Sequence, residues 1–300
     1  FLRQIRPLLE RFHYRLVTLG YQPGSLAEEL PLIPKKRYEY MDAYFRRSGT
    51  CGKNMMRGTA ATQVSIDYCC EEDFRRKYRG AYLLMPALKL LTDNTPVFEG
   101  KPSSENLTRT YIWEHVDPVR CGMIPGTFRE DFGFRSYARY LWNLPLIFLS
   151  SREGAVYTGS RTAKELYRDR LLTLEDIEHI LSMTFLDVRL KHYVEIRGAD
   201  SMPFEYVMAY LALIKGIFFD SGILTELLDS FPVREEEIRE AEQSLARSGF
   251  DGSVYGRKAP EFLRELLELA AAGLEDSERI YLLPFRQNVF RQTTLKLSYR

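Results

Sequence analysis

The segment Arg189-Leu190-Lys191-His192-Tyr193-Val194-Glu195-Ile196-Arg197 alternates polar and apolar residues almost without a break. In an extended strand successive side chains point to opposite faces. Arg189, Lys191, Tyr193, Glu195 and Arg197 then share one face, and Leu190, His192, Val194 and Ile196 share the other. Thr62-Gln63-Val64-Ser65-Ile66-Asp67-Tyr68 repeats the device, with Gln63, Ser65 and Asp67 opposite Val64 and Ile66. Such strands need a layer over the apolar face and leave the polar face open. The expected strand spans residues 188–197, and His192, on its apolar side, is read as a packed core histidine.

The covering layer is legible as helical periodicity. Leu2, Ile5, Leu8, Leu9 and Phe12 predict an opening helix. Helices are also expected at residues 36–47, 71–91, 134–142 and 173–181, the last with Thr173 as cap and Asp176 closing a capping box. From Phe204 onward the pattern is helical, at 204–219, 224–231, 234–248 and 260–274. Residues 15–19 and 59–68 are strand-like, and 145–150 with 155–158 flank Arg152–Gly154 as a hairpin. Residues 20–34 and 92–105 are loops, the second long enough to be a functional loop over a site. Strands first and helices later predict an α+β fold, with helices on one face of an antiparallel sheet.

Charge narrows the partners. Lys plus Arg number 42 and Asp plus Glu 41, a net charge of +1, which leaves no electrostatic footprint for nucleic acid or an anionic membrane. At 300 residues, 45% hydrophobic and 28% charged, the chain has the composition of an ordinary globular protein with a sizeable core. Its most apolar stretch, 204–219, is interrupted by Glu205 and Lys215 and is short for a bilayer. Cys51, Cys69, Cys70 and Cys121 show no CxxC pairing and no metal spacing with the four histidines. They read as small buried hydrophobes in a reducing cytosol, so a cytoplasmic setting is expected. No signal peptide is visible, and no P-loop, GxGxxG, HExxH or GxSxG motif is present.

The polar strand faces admit two readings. One is the solvated side of an antiparallel sheet, which is common. The other is a ligand-binding floor, because Glu195 and Arg197 beside Tyr193 can offer a carboxylate to Mg2+ and a guanidinium fork to a phosphate. Arg109-Thr110-Tyr111-Ile112-Trp113 suits carboxylate recognition and equally a packing or cation–π contact.

Taken in order, several stretches resemble the glutamate–cysteine ligase family of plants and many bacteria. They are Ile33-Pro34-Lys35-Lys36-Arg37-Tyr38-Glu39-Tyr40-Met41, Gly49-Thr50-Cys51-Gly52-Lys53-Asn54-Met55-Met56 and Thr62-Gln63-Val64-Ser65-Ile66-Asp67. Glu99-Gly100-Lys101-Pro102, the run 109–113, Arg120-Cys121-Gly122-Met123 and Tyr193-Val194-Glu195-Ile196-Arg197-Gly198-Ala199-Asp200 complete the set. The resemblance implies a glutamine synthetase-related fold, with an antiparallel sheet curved into a funnel-like active site and helices outside. It implies one catalytic domain over residues 1–300, with 224–300 as its helical C-terminal part. It also implies ATP and Mg2+, with glutamate and cysteine as substrates. ATP phosphorylates the γ-carboxylate of glutamate and the amine of cysteine displaces phosphate, the first step of glutathione biosynthesis. In that reading Glu195 is a Mg2+ ligand, Arg197 steadies the transferring phosphate, and Arg109 with Trp113 anchors the carboxylate of glutamate. Gln63 and Ser65 line the floor, Met55 and Met56 shape the amino-acid pocket, and Arg37 and Arg120 are further substrate-binding candidates.

Two departures stand out. Family members carry a metal-binding Glu-x-Glu strand near the N-terminus that nothing here matches. By resemblance it precedes Phe1, so the 300-residue chain alone is expected to be inactive or very weak. Relatives often have Pro-Met-Tyr-Phe where this chain has Pro145-Leu146-Ile147-Phe148. The alternatives are a related ligase using another amine, and a non-catalytic binding protein without the metal strand.

Overall fold

The computed structural model describes residues 2–151 and 154–296. Its axis is the helix Glu71–Leu91, whose first turn carries Glu71, Glu72 and Asp73 against the positive end of the helix dipole. From Gly80 to Leu91 every residue of this helix is buried. A helix apolar on all sides has to be surrounded, and this one is. The strands Val188–Leu190 and Val194–Ile196 lie against it, as do the helices Ser221–Ser230, Glu235–Ser248 and Leu283–Arg291.

Three short strands form the sheet that matters here, in the order Val64–Ile66, Val194–Ile196, Val188–Leu190, all antiparallel. Val64, Val188 and Ile196 stand in one row, and Ile66, Leu190 and Val194 in another. All six are buried, each contributing about 1.5–3 kcal/mol by leaving water. The row between them, Ser65, Glu195 and Arg189, alternates to the opposite face. At the end of the central strand, a Cβ on Gly198 would overlap Met85 Sδ of the axial helix. Only glycine lets the backbone after Arg197 come so close.

Residues 188–197 are therefore not the single strand expected from alternation but a tight hairpin, closed by the amide of Lys191 donating to the Tyr193 carbonyl. His192 sits at its tip and is exposed, not packed in the core. The strand expected over 59–68 shrinks to Val64–Ile66, with single bridges from Thr59 to Tyr21 and from Ala61 to Asp200, and residues 15–19 form no strand. The second expected hairpin is present, Pro145–Ser151 against Gly154–Thr162. Arg152 and Glu153 of its turn, like Phe1, lie outside the described residues. That hairpin packs on the helix Lys36–Ser48. Among the described residues four α-helices were not foreseen, Gly52–Gly58, Thr108–Glu114, Ala163–Leu166 and Leu283–Arg291, and the first two carry residues of the resembling motifs.

The C-terminal helices Phe204–Phe218, Ser221–Ser230, Glu235–Ser248, Ala259–Ala272 and Leu283–Arg291 close the core. One cluster of buried side chains runs from Tyr21 to Leu295 and joins these helices to the sheet. Among the described residues no single helix is long and apolar enough to cross a membrane. Of the four cysteines, only Cys121 is the buried hydrophobe expected; Cys51 is half-buried and Cys69 and Cys70 are exposed.

Candidate functional site

The hairpin register places Arg189 directly across from Glu195, and Ser65 on the other side of Glu195. Glu195 is only 7% exposed, and its carboxylate gathers three cations. Arg189 donates from Nε at 2.8 Å and reaches it with Nη2 at 2.7 Å. Arg197 Nη1 donates at 2.9 Å and Lys191 Nζ at 3.5 Å. Arg197 Nη1 also leans on Gln63 Oε1 at 3.4 Å, and Lys191 Nζ on the Tyr193 hydroxyl at 3.3 Å. Burial opposes the charge on Glu195, but Arg189, Arg197 and Lys191 outweigh it and hold the carboxyl below its ordinary range. Burial and the neighbouring Arg197 press the Arg189 guanidinium below the usual arginine value as well, which in its case disfavours the charged form. One carboxylate against three cations leaves a surplus of two positive charges beside the exposed Gln63 and Ser65.

The cluster offers a metal little. Among the described residues no group of three or more His, Cys, Asp or Glu side chains converges as a metal site. Glu195 is the one carboxylate in the cluster, and cations already surround it.

The other sequence-derived candidates are dispersed. Arg109 is buried, with Nη1 donating to the Gly198 carbonyl at 3.1 Å and Nη2 to the Arg197 carbonyl at 3.2 Å. Asp200 lies 3.9 Å from it and the Trp113 ring 5.7 Å. Arg109 thus braces the backbone that presents Arg197. Arg120 is fully buried, holding Asp117 at 2.6 Å, the Met183 and Pro145 carbonyls and the Tyr44 hydroxyl. Met55 is in the core and Met56 packs against it. Arg37 is exposed, over the rings of Tyr38 and Phe148.

Trp113 and the turn 121–123 meet elsewhere, in a cleft of about 450 Å³ that also touches Asp187. In that cleft Lys89 is paired with Asp187 at 2.9 Å and Glu242 at 2.8 Å. Burial drives Glu242 up to about 6, with Lys89 opposing and Asp187 reinforcing it. Sequence reasoning passed over this triad because its members come from a helix interior, a strand edge and a distant helix. It likewise left Arg189 and Lys191 out of the site, since only the hairpin register brings them onto Glu195.

The description Glutamate-cysteine ligase family 2 (GCS2) matches residues 1–289. The glutamate–cysteine ligase, chloroplastic, of Solanum lycopersicum is 32% identical over 282 residues, covering 91% of this chain and 54% of the relative. Those of Medicago truncatula and Arabidopsis thaliana are each 32% identical over 288 residues, covering 91% of this chain and 56% and 54% of the relatives. The chain thus spans little more than half the length of these curated relatives. The cytoplasmic setting expected from the free thiols is corrected by the same comparison, because each of these relatives is named as chloroplastic.

Proposed function

We propose, for a chain that belongs to glutamate–cysteine ligase family 2, that the hairpin 188–197 and the strand Val64–Ile66 form the phosphate-handling wall of an ATP-dependent ligase. The ligase joins the γ-carboxylate of glutamate to the amine of cysteine, the first step of glutathione biosynthesis. The observation that carries this reading is the cationic cluster around Glu195, open to Ser65 and Gln63.

The chemistry follows from the charges. A γ-carboxylate oxygen attacks the terminal phosphorus of ATP, the bond to the bridging oxygen breaks, and ADP leaves with that electron pair. The amine then attacks the carbonyl carbon of the γ-glutamyl phosphate, the carbon–oxygen bond to phosphate breaks, inorganic phosphate departs, and the new amide nitrogen loses a proton. No nucleophile from the protein is required; the work is positioning and neutralisation of phosphate charge. Arg197 offers its remaining guanidinium donors to phosphate oxygens. Arg189 spends its fork on Glu195 and its Nη1 on the Thr184 carbonyl, so it holds Glu195, and through it Arg197, in place and adds positive charge from behind, while Arg109 fixes the backbone that carries Arg197. The described residues do not by themselves fit a magnesium centre, which needs several oxygen donors, so no step is routed through the metal. The wider funnel-shaped sheet related to glutamine synthetase belongs to this proposal, with the three strands as part of its wall.

Ile147 favours a second reading of the amine. It is fully buried at φ 57° at the position where the family resemblance implies a tyrosine, so the phenolic hydroxyl that resemblance leads one to expect is not offered there. A related amine in place of cysteine is the consequence to test. Phosphate release by the protein carrying this chain, measured with glutamate, ATP and a panel of amines, decides between them. Preference for cysteine supports the first reading and preference for another amine the second. Arg197→Ala and Arg189→Ala should each lower turnover at least about 100-fold. Near-wild-type turnover in both would remove the sheet face from the active site.

A further inference from the structure

A second polar groove, of about 470 Å³, lies between the C-terminal end of the helix Lys36–Ser48 and the strand Gly154–Thr162. It shares no lining residue with the cleft at Trp113 or with the Glu195 cluster. Its shape comes from an irregular ladder. Pro145 pairs with Thr162, Ile147 with Gly159 and Phe148 with Tyr157, so the Gly154–Thr162 strand gains a residue twice within six positions. Bulges of this kind bend a strand and re-aim its side chains. Gly159, at φ 61°, supplies the left-handed residue. The stretch so distorted is the one that gives the groove Thr158, Ser160 and Arg161.

Two observations indicate what the groove takes. Arg47 and Arg161 both line it and are exposed, and neither has an ion-pair partner among the described residues. No acidic residue is in the lining, though the Glu165 carboxylate, held by the Thr162 capping box, is close enough to feel the Arg161 charge. The lining therefore carries two positive charges without an ion pair, that of Arg161 partly offset by Glu165. Independently, Thr158 is only 7% exposed and its buried hydroxyl has no hydrogen-bond partner. Such an orphan is costly unless something meets it. Ser48 and Ser160 add hydroxyls alongside.

We propose that this groove binds the phosphate group of a small molecule, with Arg47 and Arg161 as paired guanidinium forks and the Thr158 hydroxyl as a third donor. Two planar forks match the geometry and charge of a phosphate, while a cation or an ammonium group would find no counter-charge. The phosphate can come free or as part of a nucleotide, and the experiment separates these sources.

The test is arginine modification by phenylglyoxal, read site by site from peptide masses of the intact protein. Inorganic phosphate should slow modification of Arg47 and Arg161 together and saturably, while sodium chloride at equal ionic strength should not. Thr158→Val should weaken that protection roughly 10-fold, the loss of one charge-assisted hydrogen bond, with an unchanged circular dichroism spectrum. Arg197→Ala should leave protection at Arg47 and Arg161 intact, which keeps this groove distinct from the sheet face. ADP protecting at lower concentration than phosphate assigns the group to a nucleotide; equal or weaker protection assigns it to free phosphate. Modification rates at Arg47 and Arg161 that are the same in phosphate as in chloride overturn the proposal.

Discussion

Glu195 carries more of the site than any other single residue. Its carboxylate is shared among Arg189, Arg197 and Lys191, so removing it leaves three cations crowded together. Glu195→Ala should therefore cost about 3 kcal/mol of stability, as breaking a buried ion pair does by leaving charge uncompensated. Urea denaturation measures this, and a loss below about 1 kcal/mol, the worth of a surface pair, contradicts it. The pH dependence has a definite sign. The folded carboxyl titrates below its unfolded value, so its stabilisation is full above the ordinary glutamate range and is lost as pH falls through the lower folded value. The stability gap between wild type and Glu195→Gln should close on acidification; a gap unchanged into that range would contradict the ion-pair account. Gly198→Ala probes the same site through the backbone. The new methyl meets Met85 Sδ, and overpacking of this kind costs about 1–3 kcal/mol. Thermal unfolding checks the cost, and ligase turnover should fall with it because Arg197 moves.

At the scale of elements, the chain shows why one kind of pattern is readable and another is not. Glu71–Leu91 and Phe134–Trp142 were legible to the residue, since acidic residues open the first and a glycine precedes the second. The hairpin 188–197 was not legible, and the reason is arithmetic. Val188 pairs with Ile196, Arg189 with Glu195 and Leu190 with Val194, so partners differ by an even number. Residues that share a face in a straight strand then share it in the hairpin too, and alternation cannot tell the two apart. The polar face survived the misreading; the position of His192 did not. Arg109 and Arg120 show the other limit. Sequence marks an arginine near aromatics, but whether it faces a substrate or a backbone carbonyl is decided by chain segments far away in sequence. The helix Leu174–Ser182 supplies a local control. Thr173 Oγ1 accepts the Asp176 amide and donates to the Asp176 carboxylate, which in turn accepts the Thr173 amide. Thr173→Ala should cost about 1 kcal/mol in chemical denaturation without changing turnover, and an equal loss of turnover would tie this helix to the site.

Across the whole molecule, buried carboxyls set the response to pH. Burial raises Asp200 to about 7, with Arg109 opposing and Asp93 reinforcing, and Glu242 stands at about 6. A raised carboxyl binds its proton more tightly in the folded state, so stability is greatest below the unfolded value and declines as pH rises to the folded one. Each group contributes a slope of about 1.4 kcal/mol per pH unit in that window. The melting temperature should therefore fall between pH 5 and 7, as order-of-magnitude bounds on that window, and Asp200→Asn should flatten part of the slope. A melting temperature that rises over the range contradicts the burial of these groups. Asp200 also links the residue scale to the whole, because it pairs with Arg109, which holds the carbonyl of Arg197.

The central claim is that this sheet face stabilises phosphoryl transfer to a carboxylate. The most direct measurement uses glutamate labelled with heavy oxygen in its γ-carboxylate, with ATP, cysteine and the protein carrying this chain. One labelled oxygen per turnover is expected in the released phosphate, and Arg197→Ala is expected to lower its appearance at least about 100-fold. Released phosphate free of label, or labelled phosphate formed at the wild-type rate by Arg197→Ala, would contradict that claim.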